Sequence, residues 1–222
     1  MGEVLEVAIR NATDQDIPFI VETIIQAERS GTQRCALIQL FQCTETELRN
    51  YLTLFLKEEM TGCEWSVDSF MIAEYDGNPV GAFGAWIEGQ NEWDLSSVML
   101  KSNLMKAHLP ITVIQGMLNF QSQIVSVAIP RNKGALQLEY AYVVPHAQGK
   151  GIVGKLIEHL VLRAEQSHSE FSAIEVQVFS DNRSAVRAYE KLGFVCTFET
   201  EPNEVENLIF PFNRKIKMTK SH

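Results

Sequence analysis

The chain has 222 residues, 45% hydrophobic and 21% charged, with 13 glycines and 7 prolines. This is ordinary globular composition, rich enough in apolar residues for a sizeable core, and it excludes disorder, collagen-like repeats and disulfide scaffolds. The 28 acidic and 19 basic side chains leave a net charge of −9, which repels a phosphate backbone and argues against general nucleic-acid binding.

The acidic surplus is local: residues 1–84 hold 14 acidic and 5 basic side chains, and the rest of the chain is close to neutral. Such a surplus reads as a solvated surface that could also attract a cationic substrate. No apolar run approaches the roughly 18–20 residues of a membrane-spanning helix. The start, MGEVLEVAIR, lacks a basic region followed by an apolar stretch, so no signal peptide, no membrane and a cytoplasmic location are expected. Cys35, Cys43, Cys63 and Cys196 form no CxxC pair and no zinc spacing. Reduced thiols and no metal are the expectation.

In chain order, Leu5 to Arg10 alternates as a short strand. Thr13 and Asp16 have capping-box spacing, and the helix beyond them, to about Ser30, puts Ile17, Ile20, Val21, Ile24 and Ile25 on one face. Thr44 and Glu47 open a second helix, through about Glu59. Phe70–Tyr75 and Pro79–Ile87 read as strands joined by Asp76-Gly77-Asn78, which supplies the positive-φ residues of a tight hairpin. Residues 88–133 suggest short helices near Leu95–His108 and Thr112–Gln121 and a strand at Ile124–Ile129. No linker or repeat marks a second domain, so this segment reads as an insertion within one domain spanning residues 1–222. Leu136 to Val144 is strand-like, and a glycine-rich turn then leads into a helix to about Ser167. Ile174, Val176 and Val178 alternate with Glu175 and Gln177 as another strand. A helix from Arg183 to Leu192 stops at Gly193, and Phe194–Phe198 and Lys215–Lys220 complete a mixed α+β pattern.

The turn, PHAQGKGIVGKL (Pro145 to Leu156), sits between a strand and a helix. Glycines there permit positive φ and close approach of a ligand, and free amides at a helix N-terminus seat a phosphate or pyrophosphate. Gly149, Gly151 and Gly154 fit the dinucleotide pattern GxGxxG, but 68 residues after Gly154 are too few for a doubly wound domain. Gly149 to Lys155 fits GxxxxGK, but Leu156 stands where nucleotide hydrolases need a hydroxyl on magnesium.

A third pattern extends past the turn into the last third of the chain. LEYAYVVPHAQGKGIVGKL (Leu138 to Leu156) resembles the acetyl-CoA motif of the GCN5-related N-acetyltransferase (GNAT) superfamily, a strand, a Gln/Arg-x-x-Gly-x-Gly/Ala turn and a helix. Gln148 and Gly151 fill the first two positions, while Val153 takes the third and glycine comes one residue later at Gly154. DNRSAVRAYEKLGF (Asp181 to Phe194) resembles the second motif of the family through Asn182, Ala185, Tyr189, Lys191, Gly193 and Phe194. IRNATDQDIPFI and YDGNPVG resemble its opening strand–helix and central hairpin, whereas nothing in 88–133 does.

The resemblance implies an acyl-CoA N-acyltransferase fold, a splayed mixed sheet flanked by helices, and an acetyl-CoA-dependent acetyltransferase without a metal. Two parallel strands would part, and the pantetheine arm would pair with the backbone of Tyr142, Val143 and Val144. Amides of Gln148, Gly149, Lys150, Gly151, Ile152, Val153 and Gly154 would hold the pyrophosphate. Asn182 would contact the arm while also serving as a helix N-cap. Tyr189 would protonate the departing thiolate; outside the motif it would read as a core residue. Glu139 stands where some members carry the base, although a strand glutamate can equally be a cross-strand partner or solvated. Glu28, at the end of the first helix, could bind a cationic amine. His146 reads as a surface residue. The acceptor would be a small-molecule or peptide amine, attacked directly in a ternary complex, with the 88–133 insertion near the acceptor site. Relatives often form homodimers. A non-catalytic acyl-CoA-binding module on the same fold and an O-acetyltransferase are the alternatives.

Overall fold

The computed structural model describes residues 6–167, 170–205 and 208–221. β1 is Ala8–Asn11; Leu5, where its alternation begins in sequence, lies outside the described residues. α1 (Ile17–Arg29) is launched from Asp16, whose carboxylate accepts from the Thr13 amide at 2.9 Å and from two guanidinium nitrogens of Arg10 at 2.7 and 2.9 Å. A short helix with no motif to announce it, α2 (Ala36–Phe41), comes next. Thr44 and Glu47 cap α3 (Glu45–Leu56) reciprocally, at 3.2 and 2.8 Å. β2 (Phe70–Tyr75) and β3 (Asn78–Ile87) turn through Asp76 and Gly77 at φ 49° and 74°.

Residues 88–133 contain α4 (Ser97–His108), α5 (Ile111–Met117) and α6 (Gln121–Ser126). The strand expected at Ile124–Ile129 is therefore corrected to a helical turn and a loop. A strand there would need a neighbour to pair with, but both sides of the next strand, β4 (Leu136–Val143), are taken. A helix satisfies its backbone without a neighbour, and Val125 faces solvent at 65% exposure.

The remaining elements are α7 (Ile152–Gln166), β5 (Ala173–Phe179), α8 (Arg183–Lys191), β6 (Val195–Glu199) and β7 (Lys215–Ser221). Seven strands form one sheet in the order β1-β2-β3-β4-β5-β7-β6, antiparallel except between β4 and β5. One face packs against α7 through Phe83, Leu138, Ile152, Leu156 and Leu160. The other packs against α1 and α3 through Ile24, Leu52, Phe70 and Ile72.

Two local features open the middle of this sheet. β4 pairs with β5 only at Leu136–Ile174, Gln137–Glu175 and Leu138–Val176. On the other side of β4 the register with β3 slips, Ala82 facing Tyr142 and Gly84 facing Glu139, so two residues oppose Phe83 alone. This is a β-bulge, and it bends the longer strand. Tyr140 occupies it at φ 61°, a conformation that costs a bulky residue energy. Gly84 permits the close strand approach, because a Cβ there would stand 3.0 Å from the Glu139 carbonyl oxygen. Beyond Leu138, β4 leaves β5 and a V-shaped gap begins.

The closed side of the sheet is stapled by Arg163 of α7. Its guanidinium donates to the main-chain carbonyls of Asp68 (2.9 Å), Ser69 (3.0 Å), Phe70 (3.3 Å) and Ala85 (3.3 Å). Removing the donor leaves several partly buried acceptors unpaired. Arg163→Met is expected to lower stability by about 3 kcal/mol in urea unfolding; a loss under about 0.5 kcal/mol would show that water replaces the staple.

Candidate active site

The gap between β4 and β5 is a cleft of about 740 Å³. At one end lies the glycine turn. Gly149 and Gly151 are both left-handed, at φ 75° and 76°, with open space where a Cβ would stand. Gly151 begins α7 with no side-chain cap. The first amides of that helix therefore have no carbonyl partner within it and form a positive concavity that fits a diphosphate.

Of the residues expected at this end, Tyr142, Val143, Gln148, Gly149, Val153 and Asn182 line the cleft. Lys150, Gly151, Ile152 and Gly154 do not line it. The Ile152 side chain is buried in the core, which leaves its amide as the part that can serve a ligand. Gly154 is a packing residue: a Cβ there would lie 3.3 Å from Leu192 Cδ2. The Val144 amide donates to the Val80 carbonyl at 3.0 Å and so continues the β3–β4 ladder, and Val144 does not line the cleft. Gln148 turns back so that Nε2 donates to the Val143 carbonyl at 2.9 Å. The Asn182 side-chain oxygen caps α8, accepting from the Ala185 amide at 3.3 Å and the Ser184 hydroxyl at 3.0 Å. This leaves its NH₂ group free for the cleft.

At the other end stand Glu28, Glu139, Tyr140, Tyr189 and Lys215. Tyr189, 6% exposed, is held by Phe194, edge-on with ring centroids 5.7 Å apart, and by Phe83 at 6.5 Å. Its hydroxyl makes no hydrogen bond to any described residue and is not sealed from the cleft. Burial first, and Glu139 second, push this phenol above its ordinary pKa. It is therefore protonated at neutral pH.

The two carboxylates differ. Burial pushes Glu139 up, but Arg131 first, then Lys215 and Lys101, outweigh it and hold the group at about 2. The decisive contact is an ion pair with Arg131, a residue of the 88–133 segment. Arg131 also meets Glu64 at 3.0 Å, and Lys101 of α4 pairs with Glu64 as well. Glu28, in the last turn of α1, has no such cation. It accepts a hydrogen bond from the Tyr140 hydroxyl at 3.1 Å. Burial, aided by Glu139, raises it to about 7 against the pull of Lys215, the Tyr140 hydrogen bond and Lys101.

Arg131, Tyr140 and Lys215 escape a sequence reading. Lys215 lies in KIKMTK, where alternation suggests a solvent-facing lysine, and Tyr140 looks like an ordinary strand residue. Arg131 lies in a stretch without a motif. Among the described residues no three His, Cys, Asp or Glu side chains are grouped to hold a metal.

Residues 115–215 match the family model of the acetyltransferase (GNAT) domain, a stretch that spans both motifs and ends on Lys215. That stretch, just under half of the chain, is what it has in common with the GNAT acetyltransferases. The activity this likeness points to is acyl transfer from acetyl-CoA. The GNAT likeness extends to solved structures. An N-acetyltransferase from Staphylococcus aureus Mu50 matches with a TM-score of 0.68 at 13% identity, over 96% of this chain and 100% of the other. A second acetyltransferase matches at 0.63 and 18%, over 96% and 98%. A Salmonella typhimurium protein assigned as an acetyltransferase and solved with its cofactor acetyl-CoA matches at 0.53 and 15%, over 97% and 94%. At such identities the likeness is one of fold. No curated protein matches the chain in sequence.

Breaking a buried ion pair strands the remaining charge. Arg131→Met is expected to destabilise the fold by roughly 3–5 kcal/mol at pH 7. Glu139 would then be raised by burial, so protonation would favour the folded variant and the deficit should narrow below about pH 5. A deficit that stays constant across pH in urea unfolding would show that Arg131 contributes packing alone.

Proposed function

We propose that the chain transfers the acetyl group of acetyl-CoA to a primary amine by direct attack in a ternary complex. The observation that carries this reading is one cleft with free helix amides at one end, a raised carboxyl at the other, and an uncommitted phenol beside them. The acetyl-CoA in the Salmonella relative and the open backbone over Gly149 and Gly151 support the co-substrate. Amides from Gly149 to Val153 would seat its diphosphate, and Tyr142, Val143 and Asn182 would hold its arm.

The carboxyl pKa values decide the base. An amine of ordinary basicity holds its proton with a pKa of about 10. Passing it to a group at about 2 is uphill by roughly 11 kcal/mol, but to one at about 7 by roughly 4 kcal/mol. Glu28 is thus the base, and Glu139, neutralised by Arg131, is a fixed charge beside it. Glu28 takes a proton from the ammonium. The free amine then attacks the thioester carbon, the C–N bond forms and the C–S bond breaks. Tyr189 gives its proton to the departing sulfur, and the second proton lost by nitrogen restores the phenol. A raised phenol suits this step because the same burial raises the thiol. With four free cysteines and no helix among the described residues long and apolar enough to cross a membrane, a reducing cytoplasmic setting fits.

Tyr189→Phe is expected to lower kcat by roughly 10²–10⁴ while acetyl-CoA affinity, read by calorimetry, barely changes. Turnover at the wild-type level would remove the phenol from the mechanism. Glu28 must be ionised to act, so kcat/KM should fall about tenfold per pH unit below about 7. Glu28→Gln should abolish that limb along with most activity; a limb that survives the substitution would assign the base elsewhere.

A further inference from the structure

The charges around the acceptor end fall into two sets. Glu64 and Glu139 are matched by Lys101 and Arg131 through three ion pairs, so four charges cancel. Glu28 and Lys215 are left over. Lys215 opens β7 in register with Phe179, the last residue of β5, which sets it at the mouth of the gap. Among the described residues its ammonium has no hydrogen bond and no ion pair; the Phe179 ring lies beneath it, 5.9 Å to the centroid. Burial lowers its pKa while Glu139 and Glu28 raise it, so the lysine shares the field of both acids. A cation withdrawn from water without a partner is costly, and a ligand anion relieves the cost.

The acidic surplus of residues 1–84 does not offset this cation. Asp16 and Glu74 are paired with Arg10, and Glu22 and Glu45 with Arg49. From that stretch Glu28 is the acid that lines the cleft. A polyamine or other bare ammonium would meet a spare positive charge beside a half-protonated carboxyl. An amine that also carries a carboxylate would meet Glu28 with one group and Lys215 with the other. The wall beside Lys215 is aromatic: Phe179 and Phe210 line the cleft there, 6.0 Å apart between ring centroids.

We infer that Lys215 binds a carboxylate of the acceptor, so that the substrate is a free amino acid with an apolar side chain rather than a polyamine. This rests on the acetyl-transfer reading above and names its acceptor class. Selectivity is a difference between two transition-state affinities, and a site built for a charged group rejects the analogue that lacks it.

The test measures coenzyme A release with saturating acetyl-CoA and, as acceptors, phenylalanine and leucine against their amides and their decarboxylated amines. The amides hold more free amine at neutral pH, so amine basicity alone would favour them. The wild-type protein is expected to prefer the amino acids at least tenfold in kcat/KM. Lys215→Gln should bring that ratio close to one, and Lys215→Arg should keep it. If Lys215→Gln does not fold, the wild-type ratio and the arginine variant decide. A wild-type ratio of one or less, or a ratio unmoved by Lys215→Gln, would overturn the carboxylate site while leaving amine acetylation standing. Tight acetyl-CoA binding by calorimetry with no coenzyme A release for any amine would instead overturn the transfer reading on which it rests.

Discussion

β4 and β5 hold each other for three residue pairs and then part, and the cleft this opens brings Glu28, Glu139, Tyr189 and Lys215 together. Strand edges inside a protein are costly because each carries unpaired amides and carbonyls. Here the bulge at Tyr140 turns β4 away, and the cost is partly met from within, by Gln148 on the Val143 carbonyl. The rest of the edge is left for an extended guest, which can pair with it as an added strand would. The gap also fixes direction. In the proposed reading, the free amides of α7 take the diphosphate at one end, and Glu28 and Lys215 take the acceptor at the other.

The acceptor end depends on a polar ladder buried where a sheet usually has either a core or solvent. Glu175 and Gln137 are 1% and 2% exposed. Residues 127–133 form a strap across them: Asn132 donates to Glu175 at 2.6 Å, Gln177 donates to the Ile129 carbonyl at 3.0 Å, and Lys217 donates to the Pro130 carbonyl at 3.3 Å. The strap delivers Arg131 to Glu139. Because that pair is closed, Arg131 holds Glu139 low, while burial raises Glu28, which has no such partner.

Much of this was legible in the sequence wherever backbone conformation is demanded locally. Asp76-Gly77 can hardly be other than a tight turn, and Gly149 and Gly151 before an apolar periodic stretch mark the start of α7. Asn182 and Tyr189 fall on one helix whose spacing brings both to the cleft. What the sequence hid is tertiary. Glu175 and Gln177 alternate with Ile174, Val176 and Val178 in the manner of a half-exposed strand, and nothing nearby announces that a strap more than forty residues upstream covers them. Glu139 reads equally as a base or as a strand partner, and nothing near it in sequence announces the Arg131 that stands beside it. Ile124 to Ile129 has strand-like residues, but the next strand, β4, has both sides taken, and the segment folds on itself as α6 and a loop.

The strap has a consequence for how the molecule assembles. Its landing sites, Gln137 on β4 and Glu175 and Gln177 on β5, are brought side by side by the parallel pairing of two strands far apart in the chain, a slow, non-local event in folding. Docking of residues 127–133 therefore comes late. Once docked, it is held by buried Val127 and Ile129 as well as by the Arg131 ion pairs.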